Sequence, residues 1–555
     1  MTNRPRTFAT MAPPGTFLGE AAAGGTGVVV GRAVANTEFV RALARHGSFD
    51  RLAFFVGEGG DVAGLEAQLV QTGVLGRERL EVHNLLTLPE VLDAGTLDVF
   101  HLSAFSGVFT DLVWLRDRHA RRPLPITAQI HSLSYPRFIA DYLKAHLHPA
   151  GSGDAIICSS EAGRAAVRAC FASAGAALAR GGAAPPEPAC ALPVIPLGVD
   201  AGRMAGGQRA KTRQRLGVPE GACLVLALGR FTEYDKMDLF PLLQAFRGVV
   251  DRINDPAARP YLLLAGARQG TKTPEMIQLW ARLLGIAERV LLEVDFAEAE
   301  KPNLLAAADL FVSPSDNLQE TFGLSVVEAM AAGLPVVVSD FDGYKDTVTD
   351  EVGVRVPARL ATSLDRVAEL STLLYERPLH LLLGQAIEID LPALEAALHG
   401  LVVDRERRAA LGQNAAARVR ARYDWAVVIA AYEALWHALG ATHPPTPPAT
   451  GTRPPLAMDF ATIFADFPSG RVEGDRRVAR TPLSRTLVRA KNQYLIYPEL
   501  RNVFTDADVL ALLALAEAPL TLAALTAADA AARPGFAPWR RGHALAWLLK
   551  HGLLG

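Results

Sequence analysis

Short apolar runs closed by glycine, proline or polar turn residues alternate along this chain with longer stretches whose apolar positions repeat every three or four residues. The runs Thr7–Met11, Leu52–Val56, Leu80–His83, Asp98–Leu102, Ile126–Ile130 and Asp154–Ser159 predict strands, and Arg32–His46, with Val34, Phe39, Val40 and Leu43 at helical spacing, predicts a helix. The pattern begins again at Cys223–Phe231 and runs through Tyr261–Ala265, Val290–Val294, Leu310–Val312 and Pro335–Ser339, with a helix predicted over Asp238–Val250. Strand and helix in alternation build a parallel sheet covered by helices on its faces. Two such sets predict two α/β domains.

The densest information lies between Ser313 and Asp340. Pro314, Ser315, Asp316 and Asn317 end a buried strand with turn chemistry. Gly323 then opens a helix whose stripe is Leu324, Val327, Met330 and Ala331, and Gly333 with Pro335 stops it. The backbone N–H groups of residues 322 to 325 have no intrahelical partner, so the helix start offers donors and a positive dipole to an anion. Glu320 before the helix and Glu328 in its second turn add a carboxylate on each side. A ligand with phosphate in the middle and hydroxyls at both ends, such as a nucleotide sugar, suits that layout.

Glu320-x7-Glu328, the small-residue helix and the Gly333-Leu-Pro-Val-Val337 run together resemble the motif of retaining GT-B glycosyltransferases of the family-four type. The resemblance spans roughly residues 7 to 440 and implies two Rossmann-like domains facing a cleft, 1–205 for the acceptor and 206–440 for the nucleotide sugar, with a last helix crossing back. It implies that Glu320 touches the donor sugar and Glu328 the ribose. Arg230 and Lys236, after the strand ending at Gly229, would bind the leaving diphosphate, and the backbone near Val294 would meet the base. Thr321, Phe322, Gly323 and Leu324 complete the donor set, and His131, at a strand's carboxyl end, would sit beside the sugar. Gly25 and Gly27, in a glycine-rich loop without GxGxxG spacing, are further donor-side candidates. Pro193–Asp200 resembles the family's Ile-Pro-Asn-Gly-Val-Asp segment with Leu197 in place of Asn, and Asp346 stands where the family often has Glu. Asp340-Phe-Asp342 has the Asp-x-Asp spacing of the other glycosyltransferase fold, but its surroundings are of the GT-B kind, so no metal and no cofactor is expected beyond a UDP- or GDP-linked donor substrate.

Composition narrows this little further. Half of the residues are hydrophobic and the net charge is −2, without the basic excess of a nucleic-acid binder. The four cysteines, Cys158, Cys170, Cys190 and Cys223, form no CxxC pair, which fits thiols in a reducing compartment. No secretory leader and no long apolar span is read, so the expected location is cytoplasmic, with peripheral placement at a membrane allowed. Residues 441–456 are a Pro-rich linker. Residues 457–555 carry a basic stretch over 470–501 and three helical patterns, Asp506–Glu517, Thr521–Ala531 and Arg540–Leu549, which look like a winged-helix module able to dock a protein or a substrate. The reading is a retaining, metal-independent glycosyltransferase acting on an unidentified acceptor: glycan, lipid-linked, small molecule or protein. A silent GT-B scaffold, an epimerase and a phosphorylase remain the alternatives.

Overall fold

The computed structural model describes residues 4–13, 31–57, 62–71, 73–182, 189–255, 258–441, 453–489 and 496–555. They form two compact units. One comprises Met1–Phe54, Glu66–Glu81 and Leu92–Pro455; the other comprises Phe55–Leu65, Val82–Val91 and Leu456–Gly555.

Strands β1 (Thr7–Met11), β2 (Arg51–Val56), β3 (Leu80–Asn84), β4 (Val99–Leu102), β5 (Ile126–Gln129) and β6 (Ala155–Ile157) make a sheet of order β3-β2-β1-β4-β5-β6. A second sheet holds β7 (Leu224–Leu228), β8 (Tyr261–Gly266), β9 (Val290–Val294), β10 (Leu310–Ser313), β11 (Val336–Ser339) and β12 (Gly353–Val356) in the order β12-β11-β10-β7-β8-β9. Read from the other edge, the second repeats the first. The order 3-2-1-4-5-6 is that of a doubly wound sheet, whose ligands bind outside the carboxyl ends of the strands where the order reverses. Side chains alternate across the second sheet: Leu224, Leu226 and Leu228 enter one core and Val225 and Ala227 the other. Phe311 is divided in the same way from Leu310 and Val312. Both faces are apolar, so each strand reads as one continuous run and not as polar–apolar alternation.

After the helix Arg405–Arg422, the helix Trp425–Gly440 returns to the first sheet. The ring of Tyr432 lies 5.1 Å from that of Phe39, and Trp436 donates its indole N–H to Thr127 Oγ1 at 3.0 Å. The sequence of Leu360–Ala397 predicts a helical insert, and the structure differs from that reading. Ala358–Leu360 and Ile387–Ile389 pair as an antiparallel ribbon that carries the helices Asp365–Leu370 and Glu376–Gly384 between them. The following helix, Leu391–Val403, puts Leu394, Leu398 and Leu401 into the second sheet's core and so belongs to the domain itself.

In the other unit, the helices Asp506–Leu515, Leu522–Ala532 and Pro538–Lys550 surround a core that includes Leu512, Leu525 and Leu548, beside a short ribbon of Arg477–Val478 against Leu520–Thr521. Its buried Asp529 receives Arg533 and Arg541, each at 2.6 Å. Among the described residues, no helix is long and apolar enough to cross a membrane.

Candidate active site

Two loops meet at the carboxyl ends of β7 and β10. The first leaves β7 through Gly229 and carries Arg230 and Lys236; the second runs from Ser313 to the helix Leu324–Ala331. Lys236 Nζ donates to Glu320 Oε2 at 2.7 Å, and Gly323 N–H donates to Glu320 Oε1 at 2.9 Å. Burial pushes the Glu320 carboxyl up, but Lys236 and the Gly323 and Phe322 amides outweigh it and hold the group below its ordinary range. The carboxylate is therefore ionised and fixed at the helix start. Gly323 reaches that geometry at φ +95, where a Cβ would stand 2.2 Å from Tyr344 Cε1. Tyr344 is itself fully buried and hydrogen-bonded to Ser313 Oγ at 2.7 Å.

Arg230 lies in the same loop, paired with Asp235 at 3.0 Å and partly open to solvent. Gly229 leaves room for Lys236, whose Cε would be 3.0 Å from a Cβ there. Thr321 uses its carbonyl to accept from Ser159 and Ser160 Oγ, at 3.1 and 2.8 Å, which ties the two domains together beside the motif. Phe322 is buried in the core and Leu324 packs against it. Glu328 is one turn further along and belongs to a second cluster: Lys301 Nζ donates to it at 3.0 Å and to Glu298 at 2.6 Å. Burial alone would lower the Lys301 ammonium, but the two carboxylates raise it. Asp200, Arg203 and Leu324 line the same small recess as Glu328. Val294 ends β9, and Asp295 after it adopts φ 56 with its N–H on Gly266 O at 2.9 Å, so the backbone turns sharply there. His131 lies in the first domain, its Nε2 2.7 Å from Ser103 O. Gly25 and Gly27 lie outside the described residues.

Several participants carry little sequence signal. Lys301 is one, a lysine before a proline at a helix start. Asp346, the departure from Glu, accepts the N–H of Glu161 at 2.6 Å and so caps a first-domain helix from the second domain. The helix Glu376–Gly384 reaches the Ser132–Phe138 loop, with His380 Nε2 3.0 Å from Ser134 Oγ and Glu376 paired to Arg137. Of the Asp-x-Asp pair, Asp340 faces Arg355 at 3.0 Å, whereas Asp342 adopts φ 42 and is pushed up to about 7 by burial and then by Glu320.

Asp316 provides a test of the burial. Desolvation, and then the Asp238 carboxylate, push its carboxyl up to about 8 from 3.8. A folded-state value above the unfolded one means that stability is fullest below about pH 4 and falls as pH rises towards 8, by up to about 1.4 kcal/mol per unit. The expected result is that Asp316→Asn gains on the wild type progressively between pH 5 and 8 in thermal unfolding. A stability difference independent of pH across that window would contradict the burial.

Comparison with known proteins bears on the part of the chain that holds these loops. Residues 208–378 match the family model Glycosyl transferases group 1. A D-inositol 3-phosphate glycosyltransferase of Geodermatophilus obscurus is 41% identical over 175 residues, 30% of this chain and 37% of that protein. One from Thermomonospora curvata is 36% identical over 177 residues, 30% of this chain and 39% of that protein. The chain thus spans under half the length of the curated relatives it matches. Among solved structures, sucrose-phosphate synthase from Thermosynechococcus elongatus aligns at TM-score 0.51 and 19% identity, over 79% of this chain and 100% of that one. Anabaena HepE in complex with UDP aligns at TM-score 0.52 and 18% identity, over 78% and 100%. Residues 208–378 are a group 1 glycosyl transferase domain, set in a two-sheet fold of the GT-B kind.

Proposed function

We propose that the chain transfers a sugar from a nucleotide-sugar donor to an acceptor hydroxyl, with retention of configuration and without a catalytic metal. The observation that carries this is the Lys236–Glu320–Gly323 cluster, where a cation, an ionised carboxylate and a helix N-terminus meet at one point. In the reaction, the bond between the anomeric carbon and the phosphate oxygen breaks with its electrons going to the diphosphate. The acceptor oxygen bonds to that carbon from the same face, and its proton passes to a diphosphate oxygen. Arg230, Lys236 and the helix-start amides other than the two that Glu320 takes up stabilise the departing charge, each fixed donor contributing on the order of 3 kcal/mol. Glu320 is tied up by two donors and is read as a sugar-orienting group, not a covalent nucleophile. Glu328 is assigned to the ribose hydroxyls, Val294 and its neighbours to the base, and His131 to the sugar. Residues 457–555 are assigned a docking role for a protein or substrate.

The family match lies in the second domain, so the acceptor named by the relatives is not carried over with it. Thermal unfolding with UDP, GDP and ADP in turn, on wild type and Glu328→Ala, tests the donor site. Lys301 keeps Glu298 in that variant, so no buried cation is stranded. One nucleotide at about one hundred times its dissociation constant should add roughly 2.7 kcal/mol, and the variant should lose that gain. Shifts of equal size in both proteins would remove Glu328 from the site, and no shift with any nucleotide would favour the scaffold. Product formation unchanged by a chelator, with the anomeric configuration read by NMR, tests the other two claims.

A further inference from the structure

The Asp340-Phe-Asp342 run lies at the edge of the donor site. β11 pairs in parallel with β10, so its chain leaves the sheet at the same carboxyl end and passes directly into this run. Gly343, the next residue, is pressed against the motif: a Cβ there would stand 2.6 Å from Phe322 Cα and 2.7 Å from Thr321 O. Tyr344 after it is the ring that meets Gly323. Asp342 is thus carried to the start of the motif helix.

Asp340 is engaged by Arg355, 3.0 Å away. Asp342 has no such partner. Its backbone sits at φ 42, in the left-handed region that glycine takes freely and other residues take at a cost. Its carboxyl Oδ1 is buried and, among the described residues, meets no hydrogen-bond donor. Burial and the Glu320 and Asp346 charges push the group up to about 7, and the Gly343 amide and Lys345 do not offset them. A glycine at this position would remove the strain and the unmet oxygen together. Strained backbone gathers at ligand clamps, and a buried acceptor left open beside such a clamp marks a place for a ligand's donor.

We propose that Asp342 is a sugar-binding residue of the donor site, its open oxygen accepting a hydroxyl of the transferred sugar beside Glu320. The proposal rests on the glycosyltransferase reading. Neighbouring hydroxyls on a sugar ring are each donors, so two neighbouring carboxylates accept from one apiece, and the sugar brings no charge that either would repel. The nucleoside diphosphate is an anion and gains nothing from a second carboxylate. Asp342 therefore serves the sugar and not the nucleotide.

The test uses the full chain, with dissociation constants from titration calorimetry for UDP, GDP and ADP and for UDP-glucose, GDP-mannose and ADP-glucose. Asp342→Gly should weaken the sugar nucleotide that wild type binds by about tenfold or more, the usual effect of losing a hydrogen bond to a charged group. The matching bare diphosphate should stay within about twofold of wild type. Asp342→Asn keeps an acceptor and tolerates the same backbone, so it should bind the sugar nucleotide within about threefold of wild type. Without ligand, Asp342→Gly should unfold at a temperature no lower than wild type, because what it loses is strain and an unmet carboxyl. Equal weakening of sugar nucleotide and bare diphosphate, no weakening of either, or a glycine variant that unfolds well below wild type overturns the proposal. Wild type that binds a bare diphosphate but none of the three sugar nucleotides overturns it as well and leaves the nucleotide site standing. Binding of none of the six removes the transferase reading and the proposal with it.

Discussion

Replacing Lys236 by alanine is expected to lower kcat/KM by about 10²–10³-fold, the usual effect of deleting one fixed donor to a developing anion. From the sequence, Lys236→Ala should lower turnover far more than it changes folding. The structure amends this, because Lys236 is the counterion of Glu320, and both side chains are largely buried, at 15% and 16% exposure. Removing one member of a buried pair leaves the other charge stranded, at a cost of about 3–5 kcal/mol. The Glu320 carboxyl, now held low by Lys236, would rise once the ammonium is gone, so the variant should also unfold at lower temperature, most clearly at neutral pH and above. The double variant Lys236→Met with Glu320→Gln removes both charges at similar volume and should recover most of the stability while staying inactive. Arg230→Ala should separate the effects from the other side, since Arg230 is partly exposed and its partner Asp235 sits in the same loop. Steady-state kinetics and thermal unfolding on these proteins check the claim. Full turnover in Lys236→Ala would remove the diphosphate role, and a double variant no more stable than the single would show that the pair was not the cause.

Much of this architecture was legible because both sheets are covered on both faces. Val336, Val337 and Val338 go alternately to two cores, yet all three are apolar, so the run announces a strand without indicating which side matters. The motif loop was legible for a different reason: Gly323 and Gly333 sit at positive φ, Pro335 follows the helix stop, and together they fix the register in which Glu320 and Glu328 fall. What stayed hidden depends on distant partners. Lys301 looks like any helix-start lysine until Glu298 and Glu328 converge on it, and Gln129 looks like a strand residue until Tyr432, about three hundred residues later, takes its oxygen. The insert was misjudged because the strands Ala358–Leu360 and Ile387–Ile389 are three residues each and flank two helices, so their period-2 signal is swamped by helical spacing. The contact of the Ser132–Phe138 loop with His380 joins segments for which local pattern carries no information.

Gly323→Ala is the substitution expected to do most damage for the least change in chemistry. At φ +95 and ψ 52 an L-residue is strained by roughly 1–2 kcal/mol or more, and here strain is the smaller part. The new methyl would lie 2.2 Å from Tyr344 Cε1. Tyr344 cannot step aside cheaply, because it is fully buried, packs in the core with Phe322 and Val327, and holds Ser313 through its hydroxyl. Either the ring moves and opens the core beneath the helix, or the helix start moves and takes the Gly323 N–H away from Glu320. The first route costs stability by several kcal/mol, in the range of core overpacking with a lost hydrogen bond. The second costs the site its fixed amide and the Glu320 orientation, so nucleotide stabilisation should fall even in protein that remains folded. Tyr344→Leu in the same chain relieves the overlap but not the φ, so the double variant should regain part of the stability and little of the nucleotide response. Thermal unfolding with and without the nucleotide that stabilises wild type distinguishes these outcomes. A Gly323→Ala protein with wild-type stability and an undiminished nucleotide shift would mean that the helix start is neither strained nor part of the donor site.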